Sequence, residues 1–199
     1  MSSAWRCKLP KPISTSAAAA QPAAVNAIRL IALTGARREE IRALRWREID
    51  AATGCLRLED TKTGRSIRPL GKEALRLLAD LPRGAGEFVF PNADGTGSAD
   101  LKKRIAAIFN EAGLQDVRAQ TLRRTFASVA ADGGYGDATI GELLGHARRG
   151  VTARHYIRRP DAALLAAADK TADRIARAME GSKGGEIVPL RESGATVAC

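Results

Sequence analysis

The sequence predicts a mainly α-helical domain with one small antiparallel sheet of about three strands inserted early in the chain. Apolar residues recur at spacings of three and four over most of the length, which is helical periodicity. One stretch, Glu48 to Leu70, alternates with period two instead and is interrupted by the turn signals Thr53-Gly54 and Thr63-Gly64. The 199 residues are 45% hydrophobic, enough for a core that needs no disulfide staple.

Each element follows in order. Residues 1 to 20 are rich in Ser, Ala and Pro without a period and read as a flexible tail, as do residues 181 to 199 with their glycines. The domain proper is expected over residues 21 to 180. Ala27, Leu30 and Ile31 mark a helix from Ala24 to Leu33, and Ile41 and Leu44 mark a second from Glu39 to Trp46, the two being joined at Gly35. In the strand region, Cys55, Arg57, Glu59 and later Ser66 and Arg68 alternate with Leu56, Leu58 and Ile67, the period of a strand.

Beyond the sheet, Leu75, Leu77 and Leu78 mark a helix after Gly71. Phe88 to Phe90 form a short extended piece ending at Pro91, and Leu101, Ile105 and Ile108 mark another helix. Leu122, Phe126, Val129 and Ala130 lie on one helical face. Ile140, Leu143 and Leu144 lie on another, with Asp137 as the expected N-cap and Gly145 as the stop. Thr152 would cap a helix through Tyr156, limited by Pro160. A last helix from about Asp161 to Met179 carries Leu164, Leu165, Ala168, Ala172, Ile175 and Met179 on an apolar face that something must bury, in its own domain or on a neighbouring protomer.

Charge narrows the function. Lys and Arg number 32 against 22 Asp and Glu, a net +10, and a polyanion such as nucleic acid is the simplest partner, with an anionic membrane surface as the alternative. The longest helical apolar run, Ala162 to Ala168, is too short to span a bilayer. Cys7, Cys55 and Cys199 are odd in number and widely spaced, which gives neither a disulfide framework nor a CxxC metal site and fits a reducing, cytoplasmic setting. Gln21 and Pro22 interrupt the alanine run 17–20, so no secretory signal is expected.

Four segments carry chemistry: Thr34-Gly35-Ala36-Arg37-Arg38-Glu39-Glu40-Ile41, Thr61-Lys62-Thr63-Gly64, Gln120-Thr121-Leu122-Arg123-Arg124-Thr125, and Leu144-Gly145-His146 followed ten residues later by Tyr156. In this order and spacing they resemble the catalytic domain of the tyrosine recombinases, the phage integrase family. The resemblance runs from Ala24 to Pro160 and includes Leu44-Arg45-Trp46-Arg47-Glu48-Ile49-Asp50 and Thr125-Phe126-Ala127-Ser128. It implies the integrase catalytic-domain fold and a site-specific recombinase, typically of a mobile element, that cleaves and rejoins DNA through a covalent 3′-phosphotyrosine without metal, cofactor or ATP.

Residue by residue, the resemblance makes Arg37 the first catalytic arginine, Glu40 its supporting acid, Lys62 the lysine of the strand hairpin, Arg123 the second arginine, His146 the later histidine and Tyr156 the nucleophile. The types suit the chemistry. A phosphodiester under attack spreads charge over its non-bridging oxygens, and guanidiniums are always charged and fork-shaped to match them. A tyrosine of ordinary pKa near 10 needs cationic neighbours or a base to act at neutral pH. Arg37 and Glu40, three apart, can share one helix face, where Glu40 would orient a basic group or His146. Arg123 lies about 100° from Leu122 and so at the edge of an apolar stripe, partly buried. Arg38, Arg65, Arg124, Arg148, Arg149, Arg158 and Arg159 are expected to contact DNA.

Three features depart from the family pattern, one being an interval from His146 to Tyr156 about one residue longer than the commonest family spacing, which Gly150 can absorb. Gln120 stands three before the second arginine, where the family usually has histidine; it can donate a hydrogen bond to phosphate but cannot exchange protons. The residues ahead of Ala24 are too few for the N-terminal DNA-clamping domain, which is expected to be absent. Self-association on DNA, dimer to tetramer, would run through the helix 161–180. Three alternatives stay open: a decayed, non-catalytic DNA-binding relative, a type IB topoisomerase-like strand relaxase, and a basic RNA-binding protein, for which 4% aromatics leave little stacking surface.

Overall fold

A computed structural model describes residues 22–59, 64–146 and 160–181. Pro22 opens helix α1 (Pro22–Thr34), where its missing N–H is harmless and its fixed φ is already helical. The helix buries Ala24, Ala27, Ile28, Leu30, Ile31, Ala32 and Leu33, almost its full circumference, because five other helices pack around it. Helix α2 (Arg38–Arg42) follows after three residues.

The second helix is shorter than its apolar spacing suggests, ending at Arg42 instead of reaching Trp46. Beyond it the backbone turns extended and pairs with the Phe88 segment: the Val89 N–H donates to the Leu44 carbonyl and the Trp46 N–H to the Glu87 carbonyl, each at 2.9 Å. Ile41 and Leu44 are fully buried all the same. A single 3-10 turn, Trp46–Glu48, then leads into the sheet.

The sheet is an antiparallel meander in the order β1 (Ile49–Asp50), β2 (Cys55–Leu58), β3 (Ser66–Pro69). Its register decides which side chains share a face. Leu56 stands opposite Arg68 and Leu58 opposite Ser66, so Arg68 shares the inner face with Leu56, while Ile67 shares the outer face with Arg57. A two-residue turn at Thr63-Gly64 would pair residues three positions differently, and a slip by an odd number of residues exchanges the faces of every side chain.

Helices α3 (Lys72–Ala79), α4 (Leu101–Glu111), α5 (Ala119–Asp132), α6 (Asp137–Leu143) and α7 (Ala162–Met179) complete the described chain. Gly136, not Asp137, occupies the N-cap of α6, and Asp137 lies in the first turn, where its charge suits the helix dipole. Phe90, Leu101, Ile108, Phe126 and Leu143 fill the core with α1.

Helix α7 lies against its own domain. Asp161 caps it by accepting the Leu164 N–H at 2.7 Å, and Ala167, Ala168, Thr171, Ala172 and Ile175 are buried against α1, α3, α5, α6 and β3. Met179, expected on the apolar face, is 46% exposed in the last turn. The tail 1–20, all but the first residue of the tail 181–199, and the helix expected from Thr152 to Tyr156 lie outside the described residues. Among those described, no helix is long and apolar enough to cross a membrane.

Candidate active site

The site is assembled where two chain turns, strand β3 and helix α5 meet over the core. The first is the break between α1 and α2. Gly35 takes a left-handed φ of +61° to end α1, and a Cβ there would lie 2.7 Å from the Phe126 ring and 2.8 Å from a Leu144 methyl. This close approach seats the turn on α5 and points the Gly35 carbonyl at Arg123. Arg37 then becomes the N-cap residue of α2, its N–H donating to Glu40 Oε2 at 2.8 Å. The Arg37 guanidinium reaches the other oxygen of the same carboxylate, Nη1 to Oε1 at 2.8 Å.

The second is the C-terminus of α6. The Gly145 N–H donates to the Glu142 carbonyl and the His146 N–H to the Gly141 carbonyl, a Schellman closure with Gly145 at φ +62°. Such an end leaves the carbonyl of its C-cap residue, Leu144, without a helical donor. Here two arginines supply it. Arg123 Nη2 donates to Leu144 O at 3.1 Å and Nη1 to Gly35 O at 2.5 Å, and Arg68 Nη1 donates to the same Leu144 oxygen.

Strand β3 contributes that Arg68. It is 1% exposed, and Nη2 donates to Glu40 Oε1 at 2.7 Å. Glu40, 7% exposed, therefore holds Arg37 and Arg68 together, settling which of the basic groups within reach it orients. Arg123, expected to be partly buried, is buried outright at 7% exposed, and it hydrogen-bonds backbone carbonyls. Two guanidiniums thus pair with one carboxylate while a third is held by backbone carbonyls, which leaves these described side chains with a net positive field.

That field tunes the titratable groups. Burial, opposed by the Glu40 charge, brings the Arg68 guanidinium down to about 10, still protonated at neutral pH. Burial, then the Arg37 charge, lowers Arg123. His146 is exposed, yet the partial desolvation of its ring and the charges of Arg123, Arg37 and Arg68 all push its pKa below the ordinary 6.5. The shift favours the neutral imidazole, whose lone pair can accept a proton.

Of the residues singled out in the sequence, Arg37, Glu40, Arg123 and His146 come together. Gln120 is exposed in the first turn of α5, one helical turn before Arg123. Arg65 and Arg124 are exposed, while Arg38 pairs with Glu39, which also binds Arg42. Lys62, Arg148, Arg149, Tyr156, Arg158 and Arg159 lie outside the described residues. Sequence reasoning missed Arg68 and the Leu144 carbonyl. The register of the hairpin would have shown the first, by placing Arg68 opposite Leu56. Among the described residues, no group of three or more His, Cys, Asp or Glu is placed to hold a metal ion.

Comparison with known proteins decides the lineage, for the profile described as "Phage integrase family" matches residues 9–162. The chain belongs to the phage integrase family. Among its relatives, the prophage integrase IntF of Escherichia coli (strain K12) is 31% identical over 147 residues, 70% of this chain and 31% of that one. The tyrosine recombinase XerC of Pelobacter propionicus is 31% identical over 130 residues, 61% of this chain and 43% of that one. The chain therefore spans less than half the length of these curated integrase relatives. In fold, XerA recombinase matches with a TM-score of 0.55 at 18% identity, covering 89% of this chain and 66% of that one. The integrase of mycobacterium phage Brujita matches at 0.53 and 20%, covering 81% and 64%. XerH, crystallised with its difH substrate before cleavage, matches at 0.52 and 24%, covering 77% and 47%. The integrase catalytic-domain fold, mostly helical with a three-stranded antiparallel sheet, is the fold of this chain.

Proposed function

We propose that this integrase-family chain is a site-specific DNA strand transferase that cleaves and rejoins duplex DNA through a covalent 3′-phosphotyrosine. The observation that carries the reading is the pair Arg37 and Arg123, anchored from behind by Glu40 and by the Leu144 and Gly35 carbonyls, with His146 within reach of their charges. Donors fixed before the substrate arrives pay no reorganisation cost when charge develops on the phosphate.

In the proposed step, the Tyr156 hydroxyl oxygen attacks the phosphorus, forming a phosphorus–oxygen bond as the bond to the 5′ oxygen breaks. His146 takes the phenolic proton, and Lys62 protonates the departing 5′ oxygen. Gln120 donates a hydrogen bond to a phosphate oxygen without exchanging protons. Rejoining is the reverse, with another strand's 5′ hydroxyl as nucleophile and no need for ATP. Of the chains that share this fold, XerH is described bound to its difH substrate and the Tn1549 transposon integrase in complex with circular intermediate DNA, and double-stranded DNA is the proposed partner here. Arg38, Arg65, Arg124, Arg148, Arg149, Arg158 and Arg159 are its proposed contacts. We also propose self-association on paired sites. Because the apolar face of α7 is occupied within its own domain, exchange of this helix would require it to leave that seat.

Incubation with a pool of nicked half-site duplexes, followed by denaturing electrophoresis, should reveal a protein–DNA adduct. Tyr156→Phe should abolish it with little change in duplex binding, and Tyr135→Phe, at a partly buried tyrosine after α5, should not. Arg37→Ala or Arg123→Ala should slow it by ~10²-fold or more. An adduct that survives Tyr156→Phe would mean the nucleophile is another group. Binding with no adduct from any duplex would leave a non-catalytic DNA-binding protein.

A further inference from the structure

Arg68 is the most deeply buried charged side chain among the described residues, and the mechanism above gives it no contact with DNA. A buried guanidinium is costly unless its donors are used. Those of Arg68 are used in a particular way. Its Nη2 donates to Glu40 Oε1 at 2.7 Å, the oxygen that also accepts Arg37 Nη1 at 2.8 Å. Its Nη1 donates to the Leu144 carbonyl, the oxygen that also accepts Arg123 Nη2 at 3.1 Å. Arg68 therefore shares one acceptor with each of the two site arginines, which come from opposite ends of the site. Its Nε completes the set with Ser66 Oγ at 3.2 Å on the same strand.

The adjacent turn is shaped around this side chain. A Cβ on Gly145 would stand 2.2 Å from Arg68 Nε and 2.4 Å from its Cζ, so the guanidinium packs directly on the backbone that carries His146. We infer that Arg68 is a positioning residue: through Glu40 on one side and the Leu144 carbonyl on the other, it sets the separation and aim of Arg37 and Arg123. The inference rests on reading this site as one that binds phosphate. A planar fork is required for the double bridge, because the single ammonium of lysine on its flexible stem cannot address two acceptors in fixed directions. Lys62 lies in the sequence between β2 and β3, and Arg68 ties β3 to the site.

The test uses the full chain with Arg68→Met, close in length and uncharged, and Arg68→Lys, which keeps the charge and loses the fork. The first readout needs no DNA: side-chain ¹⁵N resonances of Arg37 and Arg123, assigned by their own substitutions. Both are expected to shift and exchange faster with water in the two variants. The second is the adduct rate on the nicked half-site pool at saturating protein, beside affinity for a random-sequence duplex. The rate should fall by about 10- to 100-fold, the range seen when a residue that orients a functional group is removed. Affinity should stay within about threefold, because a buried group makes no phosphate contact of its own.

Unchanged Arg37 and Arg123 resonances in folded Arg68→Met would overturn the inference, as would Arg68→Lys that restores resonances and rate together, since charge alone would then suffice. If Arg68→Met does not fold, Arg68→Lys decides by the same readouts. A parent chain that forms no adduct with any duplex defeats the strand-transfer reading, while the resonances still decide the role of Arg68.

Discussion

At the scale of single residues, the site depends on one glycine as much as on its arginines. Gly145 combines a φ of +62° with a guanidinium lying where its Cβ would be, so an alanine there meets two separate penalties. The left-handed backbone alone costs a non-glycine residue roughly 1–3 kcal/mol. Gly134, at φ +86° with nothing within 4 Å of its would-be Cβ, isolates that first penalty. Gly145→Ala should therefore destabilise the chain by more than Gly134→Ala in urea unfolding, by about 1–3 kcal/mol, the usual cost of overpacking. Equal losses would show that Arg68 moves aside without strain. This level was partly legible in the sequence. Arg37, Glu40, Arg123 and His146 were readable through the resemblance to the integrase family, which is carried by short segments contiguous in sequence. Arg68 was not, because its burial is decided by a strand register that joins residues twelve apart, and an arginine alternating with Ser66 in a short strand reads as solvent-facing.

At the scale of elements, local patterns located the helices well and their ends less well. The apolar pairs in α1, α4, α5 and α7 are where periodicity put them. Helix α2 stops four residues early because the Leu44–Trp46 backbone is taken by pairing with Glu87–Val89, a long-range competitor that local spacing does not register. Helix α7 offers the clearest energetic consequence. It covers α1, α3 and α5, and at Gly71, the N-cap of α3, the fit is so close that a Cβ would lie 2.7 Å from Ala172 Cβ and 2.8 Å from the Ala168 carbonyl. Burial of a large apolar side chain contributes about 1.5–3 kcal/mol. Removing α7 takes Ile175 and a row of alanines from the core and exposes the faces they cover, against a total stability of about 5–15 kcal/mol for a domain. A chain ended at Pro160 should lose cooperative thermal unfolding by circular dichroism. Retention of a cooperative transition would mean that α7 is dispensable to the domain and available to bind elsewhere.

At the scale of the molecule, charge is the property that both the sequence and the site share. The net +10 is uniform information in a composition, but the fold sorts it. Some arginines are spent internally, Arg57 on Asp50, Arg42 on Glu39, Arg68 on Glu40, and these contribute little to a long-range field. Others, such as Arg124, are exposed beside the site and remain available to a polyanion. Binding to duplex DNA should then be driven by counterion release, with log affinity falling linearly in log salt at a slope of about −0.9 for each phosphate neutralised. Arg124→Ala should weaken binding by a similar factor for every duplex sequence and make the slope shallower by about 1, as expected of a phosphate contact. Arg57→Ala should leave the slope alone, because that guanidinium is already paired with Asp50 at 2.7 Å and its removal changes no phosphate contact. Fluorescence anisotropy with a random-sequence duplex between about 50 and 200 mM salt resolves a change of that size. If both variants shift the slope equally, net charge governs binding and the arrangement of arginines around the site does not.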